Sequence, residues 1–470
     1  MSDSLAWRSA VELAKLIRDR QISPVEVIEQ SLSQIDRLNA TIGAIVTRVD
    51  EAARREARQA EKAVVRGEPL GPLHGVPFTA KDLHLTAGVR TTFGSKLYED
   101  FVPDWDQPII ASLKQAGAIL IGKTNTSEFG LIPLAANALF GESHNPWNLE
   151  RNTGGSSGGA AAAVCCGMGP IATGSDGGGS IRVPASFCGV FGIKPQMGRI
   201  PNVAFPRGWE TLAHEGPLTR TVRDAALFLD VTSGIHPRDR RSLPVPEIRF
   251  LDACQGEVAG LKLAWCPRLG ELPVEPEVMS VCKRAAERFE QLGCVVEEVQ
   301  LELPDLTPAQ QTIAICEAAT AGEPRRVEWE RVIYAPTRKM LPKSDHYTYK
   351  DLVKAHWARD EYWERISAVF ERFDALLTPT AAITAPACGT LGPTEIEGRR
   401  TRALAWLAHC VPFNMTWQPA VSLPAGFSKA GLPVGLQIVG RPYDEATLFK
   451  LASSYEAAHP WAPLRPPIAS

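Results

Sequence analysis

Residues 153–159 read Thr-Gly-Gly-Ser-Ser-Gly-Gly, and residues 174–180 read Gly-Ser-Asp-Gly-Gly-Gly-Ser. The two stretches hold eight glycines, and a glycine inside a helix or strand costs about 0.5–1 kcal/mol relative to alanine. This density predicts two loops in which the backbone approaches a ligand closely. Each loop carries a hydroxyl group, from Ser156 and Ser180, and the apolar residues 160–166 lie between them. We therefore place the functional site at these two loops.

The second loop is a candidate for stabilising a developing negative charge. An oxyanion hole requires preorganised N–H groups that point to the place where the charge develops. The residues that would supply these groups are Gly177, Gly178, Gly179 and Ser180. A pair of flexible loops is the alternative interpretation. However, each run ends a predicted element, and an Arg-Val-Pro turn follows at residues 182–184. We therefore favour the functional interpretation.

The composition is typical of a globular protein with a large core. Of the 470 residues, 44% are hydrophobic and 22% are charged, and the net charge is −3. Length alone suggests two or three domains, and so small a net charge does not indicate a polyanionic partner. We see no signal peptide and no apolar run near the roughly 20 residues that span a bilayer. The ten cysteines form no C-x-x-C pair, so we expect reduced thiols in a cytoplasmic protein.

Helical and strand patterns alternate along most of the chain. Residues 1–66 are interpreted as helices, with Ser23, Pro24 and Glu26 as N-cap, first-turn proline and capping-box glutamate. From Leu73 onward, short apolar runs alternate with helical patterns, which indicates α/β layering. The predicted strands are residues 118–121, 261–265, 294–301 and 375–379, and the predicted helices are residues 221–234, 277–292 and 353–373.

A serine nucleophile needs a base within hydrogen-bond reach, and histidine is the familiar choice. Residues 154–158 match the G-x-S-x-G pattern of α/β-hydrolases, whose histidine follows later in the chain. The pattern is degenerate here, because residues 155–159 match it as well. The downstream histidines that could serve as this base lie in no run with an obvious catalytic context; they are His214, His236, His346, His356, His409 and His459.

Lysine is the second candidate base. Lys81 follows Val-Pro-Phe-Thr-Ala at residues 76–80, which we interpret as a buried strand. Burial disfavours the charged form of a lysine, lowers its pKa and makes it a better base. The competing interpretation is a lysine whose stem is buried while its amine reaches water. From the residues alone, both the histidine and the lysine stay open as the base.

Two other kinds of site fit the loops poorly. Neither loop has the G-K-[ST] ending of a phosphate-binding loop or the spacing of a dinucleotide fingerprint. The histidines and cysteines form no cluster with the spacing of metal ligands. We therefore expect no metal ion and no cofactor.

Several stretches resemble the signature of the amidase signature family of serine hydrolases. These stretches are residues 75–82, 154–163, 174–182, 184–189, 419–426 and 431–440. The match covers nearly the whole chain, and only residues 245–370 match loosely. The resemblance implies one α/β domain over residues 1–470, with a mixed β-sheet covered by helices on both faces. It also leads us to expect a variable lid at about residues 305–350.

The resemblance also implies a catalytic mechanism. Lys81 matches the family's catalytic lysine, Ser180 its nucleophile, and Ser156 a bridging serine that precedes a cis peptide bond in relatives. In this mechanism Lys81 takes a proton from Ser156 while Ser156 takes one from Ser180, which attacks an amide carbonyl and forms an acyl-enzyme. The residues expected to support the loops rather than react are Ser157, Asp176 and Arg182.

Two departures from the family bear on the substrate. Relatives commonly carry threonine or isoleucine at the position of Gly177, so we expect a roomier oxyanion loop here. The family's glutamine-hydrolysing subunit of the tRNA-dependent amidotransferase has an acidic residue shortly before the asparagine that matches Asn414. Residues 406–414 of this chain hold no carboxylate. We therefore expect a neutral, bulky or aromatic amide or carbamate as substrate, and the alternative function is that of the amidotransferase subunit.

Aromatic side chains would line the pocket for such a substrate. The candidates are Trp209, Trp406, Phe413 and Trp417. The expected partner is the small-molecule substrate alone, without nucleic acid or membrane, and a homodimer stays open.

Overall fold

The computed structural model describes residues 5–205, 208–322, 325–340 and 346–469. Eleven strands of these residues form one large sheet. In chain order they are β1 (Ile45–Arg48), β2 (Pro77–Lys81), β3 (Ile119–Thr124), β4 (Ile171–Asp176), β5 (Phe191–Lys194), β6 (His214–Thr219), β7 (Lys262–Trp265), β8 (Val295–Glu298), β9 (Ala375–Pro379), β10 (Ala420–Phe427) and β11 (Pro433–Gly440).

The sheet is mixed, with parallel strands at both ends and antiparallel strands in the middle. The order across it is β1-β3-β2-β4-β6-β5-β10-β11-β9-β7-β8. β2 runs parallel to β3 and β4, and β7 runs parallel to β8 and β9. The pairs between β4 and β9 are antiparallel, as is β1 against β3. Because strands from both halves of the chain share this sheet, the described residues form one domain, and the several domains suggested by length alone are wrong.

Helices flank the sheet. They are α1 (Ala10–Arg18), α2 (Pro24–Ile42), α3 (Asp50–Arg66), α4 (Pro108–Gln115), α5 (Gly158–Cys165), α6 (Arg182–Cys188), α7 (Val222–Thr232), α8 (Phe250–Ala253), α9 (Pro276–Gln291), α10 (Thr307–Gly322), α11 (Arg326–Val332), α12 (Ala335–Met340), α13 (Tyr349–Ser367), α14 (Val369–Arg372), α15 (Val411–Met415) and α16 (Glu445–Ala458). Short strands form three further ribbons, which pair Ala136–Asn137 with Gly141–Glu142, His144–Asn145 with Asn148–Asn152, and Glu395–Ile396 with Arg399–Arg400.

The amino-terminal segment is not wholly helical. The capping box at Ser23 and Glu26 is present at the start of α2, as the sequence predicts. However, β1 lies between α2 and α3 and forms an edge of the sheet beside β3. With four residues, β1 is too short for a clear alternation of buried and exposed side chains, which is why the pattern misses it.

Some predicted elements have different bounds in the structure. β3 continues past the apolar run at residues 118–121, because the buried amine of Lys123 binds the hydroxyl groups of Thr86 and Thr91 at 3.1 and 2.9 Å. α13 begins at Tyr349 rather than residue 353, where a capping box precedes it. A buried polar residue with its own partners extends an element beyond what apolar periodicity indicates.

The expected lid segment contains three helices in the described part of the chain, α10, α11 and α12. Residues 323–324 and 341–345 of this segment lie outside the described residues. α10 carries Gln310, which donates to the carbonyl of Gly177 in the second glycine-rich loop, and Glu317, which accepts a bond from the Thr211 hydroxyl. A covering role for this segment stays a prediction.

Candidate active site

Lys81 lies at the carboxyl end of β2, and its side chain is fully buried. β2 is parallel to β4, with Phe78 opposite Ile171, so the two strands reach the same edge of the sheet. The glycine-rich stretch 174–180 begins at the end of β4 and leaves the sheet there. The strand order therefore brings Lys81 and this loop together from distant parts of the chain.

The Lys81 amine lies among three serine hydroxyl groups. Its Nζ is 2.7 Å from Ser156 Oγ, 2.7 Å from Ser157 Oγ and 3.0 Å from Ser175 Oγ. The carbonyl oxygen of Ser175 lies 3.4 Å from the same nitrogen. Because a hydroxyl group can donate or accept, this set accommodates Lys81 either as an ammonium or as a neutral amine.

Burial makes the neutral form of Lys81 accessible. Loss of hydration lowers the pKa of the amine to about 7, although the carboxylates of Glu215 and Asp176 act in the opposite direction. An ordinary lysine would remain protonated until about pH 10. At neutral pH a large fraction of the molecules therefore carries a Lys81 amine that can accept a proton.

The first glycine-rich loop is packed too tightly for side chains at Gly155. A Cβ atom there would lie 2.4 Å from the carbonyl carbon of Leu134. The peptide bond between Gly155 and Ser156 is cis, so Ser156 follows the cis bond, and the expectation that it precedes this bond is wrong. The N–H of Ser157 donates to the carbonyl oxygen of Ser180 at 3.2 Å. The backbone of the first loop is thus joined directly to the second loop.

Asp176 shapes the second loop from the end of β4. Its carboxylate accepts hydrogen bonds from the N–H groups of Gly179 at 2.6 Å, Ile181 at 3.1 Å and Arg182 at 3.3 Å. These three bonds fold the chain tightly around one buried anion before α6 begins. The position of Ser180 is therefore set by the backbone of the loop.

A buried ion pair completes this support. The guanidinium of Arg182 donates to the Asp176 carboxylate from Nε at 3.0 Å and from Nη2 at 2.9 Å. Its remaining hydrogen bonds go to the side chains of Asn414 and Gln437 and to the carbonyl oxygen of Cys410. Burial alone would raise the pKa of Asp176, but the Arg182 charge and the bonds from Arg182 and Asn414 outweigh it. The pKa of Asp176 is therefore held well below its usual range.

We predict that Asp176→Asn destabilises the protein strongly. The substitution keeps the size of the side chain but leaves the Arg182 guanidinium buried without an anion, a defect that costs about 3–5 kcal/mol. Denaturant unfolding of both proteins measures the difference. Glu297→Gln is the matched control, because Glu297 pairs with Arg372 at the surface, where such pairs contribute about 0–1 kcal/mol. Equal stability losses in the two variants would contradict the supporting role of Asp176.

One expected oxyanion donor is already engaged. The N–H of Gly179 donates to Asp176, so it is not available to a substrate, and the expectation for Gly179 is wrong. The N–H groups of Gly177, Gly178 and Ser180 have no hydrogen-bond partner among the described residues. The loop therefore has three backbone N–H groups without a protein partner, whereas the N–H of Gly179 stabilises the shape of the loop through its bond to Asp176.

The oxyanion loop is not roomier at Gly177. A Cβ atom on Gly177 would lie 2.8 Å from Cε3 of Trp209, so the indole occupies the space that a side chain would fill. On its other side, the carbonyl of Gly177 accepts a bond from Gln310 Nε2 at 3.2 Å. The expectation of a looser loop is wrong, because the missing side chain is replaced by Trp209.

Two cavities adjoin this loop. The smaller, of about 90 Å³, is lined by Ser180, by Gly155 and Gly178, and by side chains that are mostly apolar but include Thr307, Gln310 and Gln311. The larger, of about 790 Å³, contains Ser175 in its wall. Its aromatic lining residues are Phe93, Tyr98, Phe129, Phe205, Trp209 and Trp329. Three of the six, Phe93, Phe205 and Trp209, lie on loops, where no periodicity marks them, so the sequence pattern does not reveal them.

Of the four predicted aromatic lining residues, only Trp209 lines these cavities. Trp406 and Phe413 are fully buried in the core, and Trp406 stacks on Phe187 with ring centres 5.6 Å apart. Trp417 donates its indole N–H to a backbone carbonyl at 2.7 Å. These three side chains therefore have structural roles, and none of them belongs to the lining of the two cavities.

A histidine missed by the sequence interpretation lies beside Lys81. His84 Nε2 is 2.7 Å from Glu215 Oε2, and its Nδ1 is 2.7 Å from Thr173 Oγ1. That threonine oxygen accepts the backbone N–H of Lys81 at 3.0 Å. His84 follows Lys81 by three positions, a proximity that could have marked it. The network holds the end of β2 in place.

The six downstream histidines do not line either cavity among the described residues. His214 is buried and its Nδ1 bonds to the Leu212 carbonyl at 2.8 Å. Burial lowers the pKa of His409 to about 4. Nothing in these positions places an imidazole beside Ser180, which removes support for a histidine base.

The described residues contain no group of three or more histidine, cysteine, aspartate or glutamate side chains arranged to hold a metal ion. Within the same ranges, every helix is too short or too polar to cross a membrane.

Comparison with known proteins identifies the family. The Amidase family profile matches residues 26–449. The chain is 37% identical to an acylamidase of Rhodococcus erythropolis over 468 residues, 98% of each chain. It is 38% identical over 488 residues to a glutamyl-tRNA(Gln) amidotransferase subunit of Moorella thermoacetica, covering 98% of this chain and 99% of the relative. The crystal structure of a bacterial aryl acylamidase superposes with a TM-score of 0.92 at 32% identity over 97% of both chains. The protein therefore belongs to the amidase signature family, a family of amide hydrolases.

Proposed function

We propose that the protein hydrolyses the C–N bond of a neutral amide that carries an aromatic group, through an acyl-enzyme on Ser180. The observation that carries this proposal is the 2.7 Å contact between Lys81 Nζ and Ser156 Oγ in a fully buried position. A lysine with a lowered pKa, bonded to a serine, is the arrangement that a proton relay requires.

The proposed reaction moves one proton through two hydroxyl groups. Neutral Lys81 accepts the proton of Ser156 while Ser156 Oγ accepts that of Ser180, and Ser180 Oγ attacks the amide carbonyl. The free N–H groups of Gly177, Gly178 and Ser180 stabilise the resulting oxyanion. Ser156 then protonates the leaving amine and regains a proton from Lys81. Water cleaves the acyl-enzyme by the same relay.

Supporting residues keep this relay aligned in the proposal. Ser157 Oγ lies 2.7 Å from the Lys81 amine and 3.2 Å from the Ser175 carbonyl, so it holds the amine from a second side. Asp176 and Arg182 fix the loop that carries Ser180. A supporting role fits these groups better than a reactive one, because each is committed to several protein partners.

The substrate class follows from the larger cavity. Its aromatic walls would bury an aryl group, and such burial contributes about 25 cal/mol for each Å² of apolar surface removed from water. The names of the acylamidase and aryl acylamidase relatives are compatible with amides of this kind. An aryl carbamate would place the same groups around the carbonyl and belongs to the proposed range.

The alternative function is that of a glutamine-hydrolysing amidotransferase subunit, which relatives of similar identity support. Carboxylates that could bind an ammonium group do line the larger cavity, at Glu210, Glu215 and Glu317. Glu215 is bonded to His84, and Glu317 accepts the N–H and hydroxyl of Thr211. Because these two carboxylates already have protein donors, we favour the neutral substrate.

We predict that the isolated chain prefers a neutral anilide or aryl carbamate over glutamine by at least tenfold in kcat/KM. Moving the ammonium group of glutamine out of water without a partner costs several kcal/mol, which is the order of the penalty for one unpaired buried charge. Amine or ammonia release from acetanilide, phenyl carbamate and glutamine measures the preference. The control adds amidotransferase partner subunits and charged tRNA. If glutamine is the best substrate, or becomes so only with these partners, the stand-alone proposal is wrong.

A further inference from the structure

The two cavities beside the oxyanion loop meet at a shared wall. Leu131 and Trp209 line both of them. Ser180 belongs to the lining of the smaller cavity, whereas Ser175 belongs to that of the larger. An amide whose carbonyl is at Ser180 must therefore pass this wall to reach the aromatic cavity.

Two contacts hold the indole of Trp209 in place. Its indole N–H donates to the carbonyl oxygen of Phe129 at 3.3 Å. Its backbone has a positive φ of 63°, which an aromatic residue rarely adopts. Its ring lies directly over Gly177, where any Cβ atom would come within 2.8 Å. The indole thus stands as a fixed partition, and Gly177 is the residue that makes room for it.

The volumes on the two sides differ in what they can hold. An apolar cavity of about 150 Å³ binds benzene. The cavity beside Ser180, at about 90 Å³, is smaller than that, and its walls combine apolar side chains such as Ile132, Ile315 and Leu407 with Thr307, Gln310 and Gln311. The other, at about 790 Å³, has room for an aryl group and its substituents. The smaller side suits a short aliphatic group, and the larger an aromatic one.

We propose that Trp209 sorts the two flanks of the scissile amide by size: a short aliphatic group beside Ser180 and an aromatic group beyond the indole. This inference rests on the proposed function and names the substrate more closely. An amide with one short and one aromatic flank is preferred, and an amide with two aromatic flanks is excluded by the partition.

The test compares acetanilide, N-methylbenzamide and benzanilide, with the released amine measured by chromatography. For the wild-type enzyme, one of the first two is expected to be best, and benzanilide to have a kcat/KM at least tenfold lower. Trp209→Ala should raise the ratio of benzanilide to the best substrate at least tenfold, because it joins the two cavities. Leu131→Ala opens the same wall and decides the question if Trp209→Ala does not fold.

Trp329→Ala is the matched control, because Trp329 lines only the larger cavity. It should lower kcat/KM for all three aryl amides and leave the benzanilide ratio unchanged. The partition is refuted if wild-type enzyme cleaves benzanilide as well as the best substrate, or if neither wall variant changes the ratio. Absence of turnover for every amide, or full activity after Ser180→Ala, would instead refute the proposed function.

Discussion

Ser180→Ala is expected to lower kcat for any amide substrate by at least about 10⁴-fold, which is the scale of loss when a serine nucleophile is removed. Folding should be unchanged, because the loop is held by backbone groups and not by the Ser180 hydroxyl. The N–H groups of Gly179 and Ile181 donate to the Asp176 carboxylate, and the Ser180 carbonyl accepts the N–H of Ser157. Turnover with saturating substrate and the melting temperature of the variant measure the two effects.

Labelling and histidine replacement provide the controls for this prediction. A reactive phosphonate should modify Ser180, and mass spectrometry of the digested protein locates the adduct. An adduct on Ser156 would favour the G-x-S-x-G interpretation instead. Replacing His214 or His409 with glutamine should leave most of the activity. A loss of several orders of magnitude from either change would contradict a lysine base.

Lys81→Arg is expected to lower kcat/KM by at least about 10³-fold, nearly as much as Lys81→Ala. Arginine keeps a positive charge but does not release its proton at any working pH. Removing a general base usually costs about 10²–10⁴-fold, and the buried guanidinium would also disturb the serines around it. Kinetics with the best substrate, on variants shown to be folded by circular dichroism, test this expectation. An arginine variant with a near-normal rate would mean that only the charge matters.

The pH dependence of the wild-type enzyme tests in a second way whether Lys81 acts as a neutral base. Only the neutral amine can accept a proton, and burial lowers the pKa of Lys81 to about 7. We therefore expect kcat/KM to rise with pH through about 7 and to reach a plateau above it. Glu215 and Asp176 are the carboxylates that raise this pKa. Glu215→Gln should shift the rise to lower pH, and a rise near pH 10 in the wild-type enzyme would exclude the lowered pKa.

Local patterns are sufficient for predicting the fold class and for choosing the two loops of the candidate site. Apolar runs such as residues 261–265 form strands, because a buried strand needs little more than consecutive apolar side chains. The glycine density at residues 153–159 and 174–180 marks loops that pack too closely for side chains, as the 2.4 Å approach of Leu134 to Gly155 demonstrates. These features depend only on residues that are close together in the sequence, so they can be predicted from the sequence alone.

Features that depend on neighbours in space escape the sequence pattern. The segment that holds β1 is predicted as helix because its strand partner, β3, lies far along the chain. Gly179 is expected to bind an oxyanion, although its N–H is taken by Asp176. The nearness of His84 to Lys81 in the sequence marks its position but not its role, because its partners, Thr173 and Glu215, come from distant strands.

By itself, the sequence determined the α/β architecture and the two serine-bearing loops, since apolar periodicity and glycine placement are local properties. The choice of Lys81 as candidate base came from the resemblance to the amidase signature family, because the residues alone left histidine and lysine both open. Only the tertiary structure decided which aromatic residues line the two cavities. Trp209, Trp406 and Trp417 are the same type of residue, yet of these three only Trp209 lines a cavity. Its ring fits there because Gly177 has no side chain. The contact between Lys81 and Ser175 was likewise decided by the parallel pairing of β2 with β4, which joins distant segments in a way that no local pattern encodes.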